Sequence, residues 1–276
     1  MHCIICDGRM RQRLSWVWHC AACGFWRSEL VAGAGRGVDG LELLRRDNFA
    51  SLCDRLERGL RLTRKSCLEV GCAEGWFLDE MRNCGADCLG IEPSNVAQFA
   101  IDAGHDVKIG LFPHVLDDRS VFDFIVFNDV FEHLPNLIDA LENCERRLKP
   151  GGHLVLNLPN SDGFFFRLSL VLLKFGRSSA FDRLWQKDFP SPHLSYFNPG
   201  NLTALVDRYT GLNAVESFAL PSIRHEGLKD RIATSHKGVM GYLLYLGLSA
   251  GLPIFKHLPS DICVLVFQKP AGEDLR

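Results

Sequence analysis

Residues 67–94 open with Cys67-Leu68-Glu69-Val70-Gly71-Cys72-Ala73-Glu74-Gly75-Trp76-Phe77-Leu78 and close with Leu89-Gly90-Ile91-Glu92-Pro93-Ser94. An apolar run enters a Gly-bounded turn, a short helical pattern follows, and a second apolar run ends in a carboxylate. A strand, a tight turn, a helix and a second strand in this order form the unit that holds an adenosine-containing ligand. Gly71 and Gly75 let the backbone approach such a ligand without an intervening Cβ. Glu92, at the end of the second run, is placed to accept hydrogen bonds from both ribose hydroxyls.

The turn discriminates between ligands. A pyrophosphate on a helix N-terminus tolerates no competing negative charge, yet Glu69 and Glu74 flank this turn. Two carboxylates suit a ligand carrying an ammonium group and a sulfonium, which describes S-adenosylmethionine (SAM).

Further blocks follow in order. Phe122-Asp-Phe-Ile-Val-Phe-Asn128-Asp129-Val130-Phe131-Glu132-His133-Leu134 is a strand running into a polar turn. Leu148-Lys-Pro-Gly-Gly-His-Leu-Val-Leu156 and Leu158-Pro-Asn160 come next. With the first stretch, these blocks resemble the class I SAM-dependent methyltransferases, in the branch that modifies small molecules (methyltransferase types 11, 12 and 23), over roughly residues 41–270. One departure is Ala73, where the family usually has Gly. The resemblance implies SAM held by Glu69, Gly71, Ala73 and Gly75 around its methionine part and by Glu92 on the ribose, with Asn128 and Asp129 contacting it from the fourth strand. The loop Gly110-Leu111-Phe112 lacks the acid often found on the adenine side.

Apolar runs at 66–70, 87–91, 106–109, 122–128, 153–158, 213–219 and 262–268 are read as strands. Helical patterns fall at 75–84, 94–103, 136–148 and 200–210, and residues 41–62 form one or two further helices. The alternation predicts an α/β fold, a doubly wound Rossmann-like seven-stranded sheet with its ligand at the strand C-terminal ends. The resemblance implies that the last strand is inserted antiparallel.

The chain of 276 residues has a formal net charge of −2, so nothing draws the whole molecule to a polyanion. The charge is uneven: residues 1–65 carry net +5 and the remainder −7. Within the first segment, Cys3-x-x-Cys6 and Cys20-x-x-Cys23 have the spacing of a tetrahedral four-thiolate zinc site, with hairpin-like alternation between them. Free thiols are the alternative. A closed site of this kind is structural. The expected organisation is a zinc ribbon at 1–30, a linker (Gly-rich at 33–40) with N-terminal helices at 31–65, and the SAM-binding domain at 66–276. Trp16, Trp18, Phe25 and Trp26 beside basic residues could stack on nucleic acid. With only +2 on residues 1–30 the favoured expectation is that metal and aromatics dock the ribbon on the main domain, with no nucleic-acid partner. The other seven cysteines read as buried thiols. No secretion-signal core is present at the N-terminus, and the expected setting is the cytoplasm, with the inner face of the membrane as a second location.

Two inserts, near 161–198 and 221–258, interrupt the pattern. The second contains Gly238 to Phe255, eighteen residues without a charge. Both inserts are read as lids; for the second a buried substrate lid is favoured, interfacial membrane contact is the alternative, and a membrane span fits poorly with four glycines and a proline. Methyl transfer to a protonated nucleophile needs a base. His133, beside Glu132, is the first candidate, and a structural role its alternative; His193 and Tyr196, in Ser191-Pro-His-Leu-Ser-Tyr196, come next, against simple loop architecture. The expected activity is methylation of a small-molecule or cell-envelope acceptor, such as a saccharide, a lipid-linked precursor or a secondary-metabolite intermediate, with an apolar part. A zinc-ribbon-guided RNA or protein methyltransferase and a non-catalytic SAM-fold binding module are the competing readings. Oligomeric state is not legible in the sequence.

Overall fold

The computed structural model describes residues 1–31, 41–233, 238–255 and 257–272; the Gly-rich stretch 33–40 read as a linker lies outside them. Three short strands, β1 (Met10–Leu14), β2 (Val17–Cys20) and β3 (Trp26–Ser28), form the N-terminal ribbon. Helix α1 (Glu42–Leu60) follows, a single helix where one or two were expected. Its buried residues Leu44, Asn48, Phe49, Leu52, Cys53 and Leu56 recur at helical spacing and lay one face on the sheet.

The main sheet comprises β4 (Ser66–Val70), β5 (Asp87–Glu92), β6 (Asp106–Ile109), β7 (Phe122–Asn128), β8 (Leu148–Pro159), β10 (Asn213–Leu220) and β11 (Ile262–Gln268). Their spatial order is β10-β11-β8-β7-β4-β5-β6. Strands β8, β7, β4, β5 and β6 run parallel, and β11 lies antiparallel between β10 and β8. The crossovers include α2 (Trp76–Asn83), α3 (Ala97–Asp102) and α4 (Leu137–Arg147), with α7 (Pro199–Tyr209) before β10. The central strands are buried on both faces, as helices on either side of a parallel sheet require. All seven strand positions agree with the sequence pattern; β8 starts five residues earlier, at Leu148, because Leu148 pairs with Phe122.

The first insert holds α5 (Phe164–Lys174), α6 (Ser179–Leu184) and the two-residue strand β9 (Ser195–Tyr196). β9 pairs antiparallel with β3, so the ribbon and the insert share one four-stranded sheet. Trp26, Phe166, Phe181, Trp185 and Tyr196 form a buried cluster beneath it. Phe25 is 5.2 Å from Phe197, and Trp16 is 5.6 Å from Trp185. The ribbon aromatics are packing groups that dock it on the domain.

The second insert is α8 (Leu228–Ala233) and α9 (Gly238–Phe255). Here the expectation of a buried lid fails. Only 6% of the apolar helix α9 is buried, and Val239, Met240, Tyr242, Leu243 and Leu246 face outward. Leu244 and Leu248 alone from this helix reach the cavity described below.

Helix α7 starts with a capping box in which Asn198 accepts from Asn201 N at 2.8 Å and Asn201 returns the bond, with Pro199 at the first helical position. Asn198→Ala removes the cap and should cost about 1 kcal/mol, read as a lowered urea midpoint with unchanged slope.

Candidate active site

The Gly-bounded turn after β4 sits at the C-terminal edge of the sheet. Gly71 and Cys72 donate their amides to Ile91 O at 2.7 and 3.1 Å, which ties the turn to β5. Gly71 has φ +76°, and a Cβ there would lie 2.4 Å from Val130 Cγ2. Gly75 has φ +84°, and its Cβ would meet Ala100 at 2.8 Å. Both glycines are required by packing against neighbouring elements. Gly75 stands between the cavity-lining residues Glu74 and Trp76 and caps the start of α2. Ala73 adopts φ +45°, which explains why Gly is usual there; the strain is about 1–2 kcal/mol.

Glu92 lies in the cavity wall and accepts from Ala73 N (3.2 Å), Ser94 N (2.9 Å) and Ser94 Oγ (2.6 Å). A carboxylate offers about four lone-pair sites, so accepting two ribose hydroxyls requires Ser94 Oγ to turn away. Glu69 is buried at the end of β4. Asn128 Nδ2 donates to its Oε1 at 2.9 Å, and Asn157 Nδ2 donates to Asn128 Oδ1 at 3.1 Å. Glu69 Oε2 has no partner and no solvent. Burial pushes the Glu69 carboxyl up to about 8 against the opposing Asn128 bond. An orphaned buried carboxylate oxygen is the partner an ammonium group would find.

Across the cavity, Asp129 has φ +53° and its carboxylate meets Arg45 of α1 at 3.3 Å. A one-turn helix, Phe131–His133, then presents Glu132 and His133. Both Glu132 oxygens are buried without hydrogen-bond partners, and burial holds this carboxyl well above the usual range. His133 Nε2 and His193 Nε2 each lie 3.9 Å from Glu132 Oε1, and the two rings are 4.7 Å apart. Adjacent ligands on a cation at about 2.1 Å stand roughly 3.0–3.4 Å apart, and a shared proton needs a closer approach still, so at 3.9 Å the three groups are neighbours with no hydrogen bond between them. His133 Nδ1 donates to Pro192 O at 2.9 Å, which leaves Nε2 as the unprotonated nitrogen. Burial lowers both imidazoles from their ordinary value, His193 the further. Tyr196 is buried with its hydroxyl given to Leu184 O at 3.2 Å; it walls the cavity and has no free proton to move.

The four cysteine sulfurs Cys3, Cys6, Cys20 and Cys23 lie within 4.8 Å of one another. Cys3–Cys23 is 3.6 Å and Cys6–Cys20 is 3.5 Å. These are far longer than a disulfide and close to the edge of about 3.8 Å that 2.3 Å zinc–sulfur bonds define in a tetrahedron.

The SAM-type turn and the Glu132–His133–His193 group open on one cavity of about 1260 Å³, beyond the roughly 300–1,000 Å³ of a single-ligand pocket. Phe49, Trp76, Phe165, Leu168, Leu172, Phe189, Leu244 and Leu248 give it an apolar wall. Sequence reasoning missed Arg45, which reaches in from α1, and the particular residues that α5 and α6 of the first insert, read as a lid, contribute. Their signals are unremarkable charged or apolar positions that only tertiary packing brings here.

A family profile described as a methyltransferase domain matches residues 44–217. The chain belongs to the methyltransferase-domain family. This methyltransferase is similar to the ubiquinone biosynthesis O-methyltransferase of Aliivibrio fischeri, 23% identical over 205 residues, covering 70% of this chain and 82% of the relative. The enzyme of the same name from Vibrio cholerae is 25% identical, covering 70% and 78%. Among solved structures, a SAM-dependent methyltransferase from Archaeoglobus fulgidus aligns with TM-score 0.55 at 16% identity, covering 83% of this chain and 97% of that one. The plantazolicin methyltransferase BpumL in complex with SAH (S-adenosylhomocysteine) aligns at 0.52 with 14% identity, covering 82% and 84%. The [4+2]-cyclase SpnF aligns at 0.56 with 16% identity, covering 89% of each, so the shared fold alone does not dictate methylation. The methyltransferase is a class I enzyme that uses SAM.

Glu69 generates a proton-linked prediction. With its pKa near 8, it is mostly protonated in the free protein at pH 7. An ammonium placed on Oε2 lowers that pKa, so the proton leaves when SAM binds. Calorimetry at pH 7 in buffers of different ionisation enthalpy should show release of close to one proton per site, and Glu69→Gln should abolish it.

Proposed function

We propose that this methyltransferase places a methyl group on a hydroxyl oxygen of a small molecule that has an apolar part, with His133 as the base. The observation that carries this reading is the Glu132–His133–His193 group, which faces the same cavity as the SAM turn. Support for an oxygen acceptor comes from the relatives named ubiquinone biosynthesis O-methyltransferase, and support for an apolar part from the cavity wall. Sugar hydroxyls on lipid-linked precursors and hydroxylated secondary metabolites satisfy the same description.

SAM, when bound, supplies an electrophilic methyl group on a sulfonium. Glu69 would hold its ammonium and Glu92 its ribose, with Gly71, Ala73, Asn128 and Asp129 around them. His133 Nε2 accepts the hydroxyl proton, because its Nδ1–H is committed to Pro192 O. Its lowered pKa keeps it unprotonated near neutrality. The proton then rests on His133, 3.9 Å from the Glu132 carboxyl. The apolar walls exclude solvent that would compete as acceptor. In the ribbon, Cys3, Cys6, Cys20 and Cys23 would hold one structural zinc ion.

The deciding experiment incubates the protein with methyl-labelled SAM and a panel of phenols, catechols and sugar hydroxyls, each with and without a long alkyl chain. Label should appear on oxygen, with the alkylated member of a pair preferred. Label on nitrogen or carbon, or none across the panel with SAM demonstrably bound, would overturn the reading. With the acceptor so identified, His133→Ala should lower kcat by about 10²–10⁴-fold while SAM affinity holds. The acid limb of the wild-type rate profile should have its midpoint below the ordinary imidazole value, since the active form is the deprotonated one, and should vanish in the variant.

The outward residues of α9, with Leu168 and Val171 of α5 and Phe175 just after it, continue the apolar cavity wall onto the surface. We read this face as seated on a lipid bilayer, the inner face of the cell membrane, where an acceptor with an apolar tail passes directly into the cavity. Leu243→Glu with Leu246→Glu should reduce co-sedimentation with phosphatidylethanolamine–phosphatidylglycerol vesicles at least about tenfold, the scale of losing two partly buried leucines. SAM binding should be unaffected.

A further inference from the structure

The ribbon sheet contains a strand the ribbon does not own. Opposite β3 lies β9, with Trp26 facing Tyr196 and Arg27 facing Ser195. Just before that pairing, Ser28 makes two bonds to the segment that carries His193. Its amide donates to Leu194 O at 2.8 Å, and its buried Oγ donates to His193 O at 2.9 Å. Arg27 spans two segments: Nη1 donates to Ser195 Oγ at 3.2 Å and Nη2 to Pro135 O at 2.8 Å. Pro135 lies two residues after His133, and Ser195 two after His193. One guanidinium therefore clasps both histidine-bearing segments. A further bond, Leu194 N to Glu132 O at 2.9 Å, closes the ring between them.

We propose that Arg27 and Ser28 are positioning residues for methyl transfer: from the ribbon, they fix the backbones of residues 133–135 and 193–195 so that His193 meets His133 and Glu132. This places β3 behind the acceptor half of the cavity, where it backs the segments that carry the lining residues His133, His193 and Tyr196. The inference rests on the functional reading above for its kinetic consequence and on the hydrogen bonds alone for its structural one. A docking role by itself needs only the apolar contacts of Phe25 and Trp26. It does not need a buried hydroxyl on the His193 carbonyl or a guanidinium divided between two loops. Burial lowers the Arg27 pKa, and such a desolvated cation keeps its place only where fixed acceptors meet it.

The test uses full-length, zinc-replete protein saturated with S-adenosylhomocysteine, in wild-type, Ser28→Ala and Arg27→Gln forms. The readout is the imidazole resonances of His133 and His193 across pH 5–8. His193 is faced by Glu132, His133, Gln186 and Tyr196, with Arg45 acting from α1. In the wild type His193 should not titrate in this range, and a cross-ring contact to His133 should be seen. In each variant His193 should begin to titrate within this range, its midpoint moved toward the ordinary imidazole value, with the cross-ring contact weakened. S-adenosylhomocysteine affinity and zinc content should stay within twofold of wild type. Folded variants with superimposable histidine resonances would overturn the proposal, as would a matching loss of S-adenosylhomocysteine binding, which would mark a general disruption. Should Arg27→Gln fail to fold, Ser28→Ala decides alone. Failure of the base assignment reads differently: His133→Ala would retain turnover while the ribbon variants still move His193.

Discussion

Parallel pairing of β4 with both β5 and β7 is the constraint on which the rest of the molecule depends. Parallel neighbours need crossovers, the crossovers cover both faces of the sheet with helices, and the edge at the strand C-termini is left to receive a ligand. Glu69, Glu92 and Asn128 are each the last or next-to-last residue of a strand, and Asp129 and Glu132 follow within a turn. Antiparallel β11 completes the sheet from the other side, and the segments leading to and from β10 wall in the remaining space.

The two ends of the sheet treat carboxylates in opposite ways. At the N-terminal end, Asp123 is partly buried, which would raise its pKa, but Lys149, Ser66 and Lys65 bond to it and hold it well below the usual range. It is a paired structural charge. At the C-terminal end, Glu69 and Glu132 are buried with unpartnered oxygens, and both are held high. Unpaired burial costs stability, and it is tolerated where a ligand or a transferred proton supplies what is missing.

Strands and crossover helices were legible in the sequence because each is a short apolar run bounded by Gly, Pro or Asn, and those signals are local. The Gly-bounded turn, the Glu92 position and the cysteine quartet were legible for the same reason. What was not legible depends on distant partners. β9 is two residues long and exists because β3 lies beside it. Arg45 reads as an ordinary charge on α1 until the fold brings Asp129 to it. Gly75 has the spacing of a ligand residue, yet Ala100 and His105 dictate its lack of a side chain. Helix α9 looked like a buried lid because hydrophobicity reports an aversion to water and does not say what replaces the water.

The shared β3–β9 sheet also sets an order of events during synthesis. Arg27 and Ser195, partners in that sheet, are 168 residues apart. At about 5–20 residues per second, the ribbon leaves the ribosome roughly 10–30 s before its neighbouring strand exists. For that interval β3 is an open edge beside Trp26 and Phe25, whose eventual cover has not been made. The thiolate cluster is local, closing between residues 3 and 23, and it can form at once. A metal held there would fix the first-made part of the chain while its open edge waits for the insert.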